Sequence, residues 1–141
     1  MIKSFNREVI EDALKNANRV YLTGRLSRPQ TLDAFSFSEE CIVCHYKETL
    51  KEDAHIHSYN NDYIYVVEGE LTVKELMSGE ETVFRKGDFF IIEKGTPHQI
   101  TYQEGTKTFS VKIPGGNDKV LVYEEILKAP KKIQVDTAYT K

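Results

Sequence analysis

The stretch that decides the fold is residues 55–69, HIHSYNNDYIYVVEG, in which a His-x-His pair precedes an alternating run. On a strand, side chains two positions apart point to the same face, so His55 and His57 are expected to lie side by side. Two neighbouring imidazoles on one face can chelate a single divalent ion. Gly69 follows the run and supplies the positive φ that a tight hairpin into the next strand requires.

Asp62 opens the alternating run and has the same parity as the apolar residues Ile64 and Val66. Its side chain is therefore expected to face the interior together with the two histidines. An inward carboxylate beside inward imidazoles is costly unless its charge is neutralised, and a metal ion would do that. His98 opens a later strand, with Tyr102 at its parity. The apolar residue Ile100 has the same parity as His98.

The whole chain, residues 1–141, is expected to form one domain that consists mostly of β-strands. Residues 6–17 carry the apolar spacing of a helix, within an N-terminal helical segment at 1–18. Many short strands separated by turns are typical of a sandwich or a barrel. The tail at 128–141 is either a frayed end or an arm on a partner subunit. Strands are expected near residues 19–23, 33–37, 40–47, 62–68, 71–76, 82–85, 89–92, 98–103, 107–113 and 119–125.

Two shorter segments, residues 89–92 and 114–118, have compositions that predict a buried strand and a loop. Residues 89–92, FFII, are apolar throughout and predict a strand that is buried on both faces. Residues 114–118, PGGND, are interpreted as a plain loop.

Composition argues against several function classes. The chain has 19 Lys and Arg residues against 22 Asp and Glu, so no basic field favours nucleic-acid binding. No apolar run approaches the roughly 18 residues of a membrane helix. The N-terminus lacks the apolar stretch of a signal peptide. We therefore expect a cytoplasmic protein that binds neither nucleic acid nor a membrane.

Cys41 and Cys44 have the spacing of a redox or zinc motif, but they lie in a run rich in β-forming residues. On a strand, positions three apart point to opposite faces, so the two thiols cannot share a metal or a disulfide without distortion. Two structural cysteines are the preferred interpretation.

Two blocks of the chain resemble the paired motifs of the cupin superfamily, with the correct internal spacing in each. The first block is matched by Thr49, His55, His57, Asp62 and Gly69, and the second by Gly87, Glu93, Gly95, His98 and Tyr102. The resemblance runs from about residue 49 to 102. Four positions depart from the motifs: Thr49 and Glu93 affect loop geometry, Tyr102 replaces an asparagine, and Asp62 replaces a glutamate.

The resemblance implies an all-β, single-domain jelly-roll β-barrel that holds a metal inside through His55, His57, Asp62 and His98. Three neutral imidazoles and one carboxylate suit Fe, Mn, Ni, Co, Cu or Zn, and are poor ligands for Ca or Mg. Aspartate is one methylene shorter than glutamate. Direct ligation by Asp62, ligation through water and a site of three histidines alone therefore all stay open.

The resemblance also covers a range of activities, because this fold hosts many functions. We expect a metalloenzyme acting on a small soluble molecule, by dioxygenase-type chemistry or by redox-neutral isomerase, epimerase or lyase-type chemistry. Tyr102 and, more weakly, Tyr46 are candidate catalytic acids or bases, and a role in the core or pocket wall stays open for both. The alternative is a non-catalytic small-molecule binding or sensor protein. A homodimer is expected, with Tyr63 and Tyr65 facing outward.

Overall fold

The structure is a computed structural model and describes residues 1–122 and 135–137. In this part of the chain, one helix, α1 (Arg7–Asn16), precedes the strands. The strands are β1 (Arg19–Tyr21), β2 (Glu40–His45), β3 (Leu50–Lys51), β4 (His55–His57), β5 (Asn61–Glu68), β6 (Glu70–Glu75), β7 (Glu81–Arg85), β8 (Phe89–Ile92), β9 (His98–Tyr102), β10 (Lys107–Ile113), β11 (Lys119–Val122) and β12 (Val135–Thr137). Among the described residues, no helix has the length and apolar character needed to cross a membrane.

The strands form two sheets that pack face to face. The first sheet has the order β1-β2-β10-β5-β8, and the second has the order β12-β11-β4-β9-β6-β7, with β3 beside β9. All pairings between the described strands are antiparallel. The core joins Ile64 and Phe90 of the first sheet to Leu71 and Ile100 of the second. This arrangement confirms the predicted jelly-roll fold.

Strand alternation decides which side chains reach the interior. In β5, Asp62 and Ile64 are buried, whereas Tyr65 is exposed. In β2, Cys44 is buried and Cys41 lies on the other face, only partly covered. The inward position of Asp62 and the opposite orientation of the two thiols are therefore confirmed.

Helix α1 begins where the sequence predicts. The Asn6 side chain accepts a hydrogen bond of 2.9 Å from the backbone N–H of Val9, which satisfies one of the free donors of the first turn. Ala13 is buried against Val20 and Leu32 in a second, smaller core cluster outside the sheets. The helix thus covers part of the outer surface near β1 and leaves the barrel interior to the strands.

Gly69 forms the tight connection between β5 and β6, with a φ of +84°. A β-carbon at this position would lie 2.7 Å from the Cα of Thr106. Both the positive φ and the close approach of another backbone segment therefore require glycine. The hairpin predicted at this residue is confirmed.

Two of the predicted strand features are wrong. Residues 33–37 do not form a strand, and only an isolated bridge joins Phe35 to Thr23. The Phe35 ring instead stacks on Phe5 at 4.3 Å between centroids, so a local aromatic contact covers it in place of a sheet. Strand β8 is not buried on both faces, because Phe89 is 56% exposed while Phe90 is buried. The predicted tail at 128–141 lies outside the described residues except for β12.

Candidate metal centre

Three buried histidines meet inside the barrel. Strands β4 and β9 are neighbours in the second sheet, and His55 lies directly opposite His98 in their register. His57 follows two positions after His55 and points to the same face. One ring nitrogen from each of the three histidines lies within 4.8 Å of the others. The structure therefore brings together the three histidines that the sequence singled out.

The three rings surround a common centre instead of stacking in parallel. The ring centroids of His55 and His98 are 4.3 Å apart, and those of His55 and His57 are 5.0 Å apart at nearly a right angle. The His57 and His98 centroids are separated by 5.7 Å. Rings tilted in this way direct their nitrogens toward one point, as metal-ligating imidazoles do.

Hydrogen bonds fix the tautomers of His55 and His98. The Nδ1 of His55 lies 2.7 Å from the carbonyl oxygen of Asp53, and the Nδ1 of His98 lies 2.8 Å from that of Thr96. A carbonyl oxygen only accepts, so the proton of each neutral ring is on Nδ1. The Nε2 atom of each ring is left with a free lone pair, which is the form that binds a metal.

Asp118 holds the third ring in the same way, and sequence reasoning missed it. Its Oδ1 accepts a hydrogen bond of 2.9 Å from the Nδ1 of His57. The other oxygen, Oδ2, accepts from the backbone N–H groups of Tyr59 and Asn60. Residues 114–118 do form a loop, as predicted, but the loop is not plain, because it ends on the residue that orients a candidate ligand.

The charge states of these groups suit metal binding. Burial, reinforced by positive charges nearby, lowers the pKa of His98 to about 4 and that of His55 further still. Both rings are thus neutral at physiological pH. Burial by itself would raise the pKa of Asp118, but the hydrogen bonds that it accepts lower it to about 2. The Asp118 carboxylate is therefore ionised, and it accepts a hydrogen bond from the Nδ1–H of His57.

Asp62 faces the same interior from the opposite sheet. Its side chain is buried and lines the cavity at the histidines. Its Oδ1 is buried and accepts no hydrogen bond from the described residues. Asp62 is not one of the residues whose ligand atoms all lie within 4.8 Å of one another; these are the three histidines alone among the described residues. One oxygen of the buried Asp62 carboxylate thus has no hydrogen bond from the described residues, and this carboxylate lies beside the candidate metal centre.

The two candidate catalytic tyrosines stack on each other behind the site. The rings of Tyr46 and Tyr102 are 3.8 Å apart between centroids and nearly parallel. Tyr102 lines the cavity. Burial is the main cause that raises the pKa of both phenols, so both stay protonated at physiological pH. In this arrangement they are hydrogen-bond donors, and a role as base would require a large change in surroundings.

The cavity at the histidines is small, at about 30 Å³. Glu52 lines it and is a further residue that sequence reasoning missed, because it lies in a polar run without periodicity. Its Oε1 accepts a hydrogen bond of 3.2 Å from the backbone N–H of Ile100. Burial raises the pKa of Glu52 to about 7, although the positive charge of Arg19 opposes the shift.

The residues present fit a divalent transition metal. Three buried imidazoles converge, those of His55 and His98 being neutral with a free Nε2 lone pair. The Asp62 carboxylate, whose Oδ1 accepts no hydrogen bond from the described residues, lines the same cavity. This donor set suits metals from Mn to Zn, whereas Ca and Mg prefer sites made of oxygen atoms alone.

The fold and this site define a jelly-roll β protein whose interior carries a histidine triad that can hold a metal. Residues 42–112, half of the chain, match the family model described as Cupin domain. The chain belongs to the cupin family. A sequence search of curated proteins finds no match.

Solved structures support the same fold. A conserved protein with a double-stranded β-helix domain from Klebsiella pneumoniae aligns with a TM-score of 0.58 at 19% identity, over 86% of this chain and 97% of its own. An RmlC-like cupin from Shewanella frigidimarina aligns with a TM-score of 0.51 at 22% identity, over 60% of this chain and 73% of its own. KdgF from Halomonas sp. aligns with a TM-score of 0.50 at 22% identity, over 57% and 73% of the two chains. Likeness at this level of identity establishes the fold alone.

Proposed function

We propose that this chain is a metal-dependent enzyme that acts on a small soluble molecule, with one divalent transition metal held by His55, His57 and His98. The observation that carries the proposal is the buried convergence of three rings whose Nδ1 atoms are all engaged elsewhere. Core histidines that serve packing alone have no reason to bring three ring nitrogens within 4.8 Å of one another while their Nδ1 atoms are engaged elsewhere.

Asp62 is the proposed fourth ligand. Its carboxylate lies in the same cavity, and its Oδ1 accepts no hydrogen bond from the residues that the structure describes. A buried, partly unsatisfied carboxylate is costly, and a nearby cation would offset that cost. Since Asp62 is not part of the tight histidine group, its shorter side chain would contact the ion either directly or through a water molecule.

A divalent metal at this position would supply Lewis-acid or redox chemistry to a bound substrate. The chain's own residues hold the substrate and manage protons around it. Tyr102 lines the cavity with a protonated phenol and is the proposed hydrogen-bond donor to substrate, with Tyr46 stacked behind it to fix the ring. Glu52 is the carboxylate on the same wall that can exchange a proton.

The test is turnover of a panel of small soluble compounds by protein loaded with Fe, Mn, Co, Ni, Cu or Zn. Oxygen consumption and product analysis are followed together, because uptake of O2 separates dioxygenation from redox-neutral chemistry. We expect turnover of a panel member that is lost in His98→Ala and kept in His45→Ala, whose side chain lies on the outer face. A protein that binds a compound tightly and converts none of the panel would favour the alternative function of a sensor.

We also propose a homodimer, formed through the outer face of the first sheet. This face exposes the large apolar side chains Tyr65, Val67, Phe89, Ile91 and Phe109 on three neighbouring strands. Exposed apolar patches of this kind mark interaction surfaces. A two-fold interface brings a patch against its own copy, and an apolar patch is complementary to itself because it has no like charges to repel. The cytoplasmic location remains a prediction from the sequence.

A further inference from the structure

Three cationic side chains line the cavity that holds the histidine triad. They are Arg19 at the start of β1, Lys112 near the end of β10 and Lys119 at the start of β11. Lys119 lies opposite His57 in the register of β11 and β4, and Lys112 lies opposite Asp62 in the register of β10 and β5. The cations thus come from three separate strands and line the same cavity as the candidate metal centre.

Lys112 is the most informative of the three. It is only 6% exposed and faces the interior of the barrel. Its strand neighbours across the sheet are Asp62 on one side and Glu40 on the other. Within the described residues, no carboxylate lies within 4.0 Å of its ammonium group. A lysine is seldom buried so deeply without close pairing, which indicates that an anion completes this site.

Charge balance in the cavity supports an anionic ligand. The three cations are matched by three carboxylates on the same wall, those of Glu52, Asp62 and Asp118. The Asp118 carboxylate already accepts hydrogen bonds from His57 and from two backbone N–H groups. A divalent metal would therefore add two positive charges to a wall whose three cations already equal or outnumber its ionised carboxylates. In a largely buried cavity, an uncompensated charge of that size strongly favours a bound anion.

The size of the cavity limits the shape of the anion. A volume of about 30 Å³ holds roughly two water-sized atoms, since one water needs about 10–15 Å³. A metal held by the histidines would occupy part of that space, so what is left beside it suits the narrow, planar head of a carboxylate. A tetrahedral phosphate, with four oxygens, is a poorer fit.

We propose that the substrate carries a carboxylate group, which binds between the metal centre and the cations Arg19, Lys112 and Lys119. This inference rests on the proposed function, because it names the substrate class of the same site. Charge-assisted hydrogen bonds from guanidinium and ammonium groups hold the carboxylate. The rest of the substrate lies toward the opening of the cavity. Neutral small molecules of the same shape are discriminated against.

The test uses Co2+-loaded protein and follows its visible absorption spectrum, which reports changes around the ion without requiring turnover. Acetate is the probe, acetamide is its neutral counterpart of similar shape, and inorganic phosphate is the tetrahedral anion. We expect acetate to change the spectrum saturably and acetamide to bind at least about tenfold more weakly, as the loss of one charge-assisted hydrogen bond implies. Phosphate is expected to bind more weakly than acetate as well, because a tetrahedral anion fits the cavity less well.

The variants Lys112→Met and Arg19→Met are each expected to weaken acetate binding by about tenfold or more, while the affinity for Co2+ changes little. Arg19 is only half-buried, so its replacement tests the proposal even if the Lys112 variant folds poorly. Arg19→Lys keeps the charge and is expected to retain much of the acetate binding. Lys51→Met, at an exposed position on β3, is the matched control that should bind acetate as the wild type does.

The outcomes separate the two proposals. If wild-type protein does not bind Co2+, the metal-dependent function fails and the carboxylate inference fails with it. If Co2+ binds but acetamide or phosphate binds as tightly as acetate, the metal site stands and the carboxylate inference is overturned. Unchanged acetate affinity in both Lys112→Met and Arg19→Met would overturn it as well.

Discussion

The carboxylate of Asp118 accepts a hydrogen bond of 2.9 Å from the Nδ1 of His57, across 61 residues of sequence. The same carboxylate is held by the backbone N–H groups of Tyr59 and Asn60, and its Oδ1 also accepts from the Asn60 side chain at 2.8 Å. The loop that ends at Asp118 is thereby tied to the turn after β4. One interaction therefore fixes both the tautomer of a candidate ligand and the wall of the cavity.

Asp118→Asn is expected to weaken metal binding by about 10–100-fold, because an amide orients the His57 ring less firmly than a carboxylate does. In either orientation, the amide nitrogen would face a hydrogen-bond donor, the backbone N–H groups of Tyr59 and Asn60 on one side or the Nδ1–H of His57 on the other. The measurement is a competition titration with a chromogenic chelator. Asp53→Asn is the matched control, because Asp53 supports His55 through its backbone oxygen and its side chain is exposed. Equal affinities for the two variants would contradict the positioning role of Asp118.

Asp62→Asn tests the fourth ligand. If the carboxylate contacts the metal, we expect affinity for the ion to fall by about tenfold or more, since an amide is a much weaker donor to transition metals than a carboxylate. The same chelator titration measures the effect, with Asp53→Asn again as the control. An unchanged affinity would reduce the site to three histidines.

Gly69→Ala is expected to lower the free energy of unfolding by about 2–5 kcal/mol, the combined cost of a left-handed alanine and of overpacking against Thr106. The hydroxyl of Thr106 bonds to both the N–H and the C=O of Glu70, so its displacement would disturb the β5–β6 turn. Gly79→Ala is the control: its φ is +76°, and nothing lies within 4 Å of an added β-carbon. It should cost only about 1–2 kcal/mol. Urea unfolding of the two variants measures the difference, and equal losses would show that contact with Thr106 is unimportant.

Phe89→Lys is expected to convert a homodimer into a monomer, because it places a charge in the apolar outer face of the first sheet. Val83→Lys is the matched control, since Val83 is an exposed apolar residue on β7 in the other sheet. Sedimentation velocity gives the mass of each variant. A wild-type protein that is monomeric at high concentration, or a dimer that survives Phe89→Lys, would contradict the proposed interface.

The sequence predicted the parts of the site that depend on local periodicity. The period of two along a strand is a property of the backbone, so the shared face of His55 and His57 followed from their spacing alone. The inward position of Asp62 followed from the apolar residues Ile64 and Val66, which lie two and four positions later in β5 and point to the same face. The opposite orientations of Cys41 and Cys44 have the same origin, whereas the structure alone shows that Cys44 is the one that faces inward.

The parts that depend on register between distant strands were not predictable. Lys119 lies opposite His57 only because β11 pairs with β4, and Lys112 lies opposite Asp62 only because β10 pairs with β5. Asp118 lies in a loop whose composition resembles any turn. The burial of residues 89–92 was not predictable either. An apolar run in a sequence does not show which of its side chains are buried in the chain's own core and which are exposed on the surface.

The central claim is that His55, His57 and His98 together bind one metal ion, and elemental analysis tests it most directly. Protein is purified without chelators or metal-affinity resin, and its metal content is measured by mass spectrometry. We predict about one transition-metal ion per chain in the wild type and in His45→Ala, whose side chain lies on the outer face, and a large loss in His57→Ala and His98→Ala. A wild-type protein without bound metal that also fails to take up Fe, Mn, Co, Ni, Cu or Zn, or histidine variants that keep the full metal content, would contradict the account.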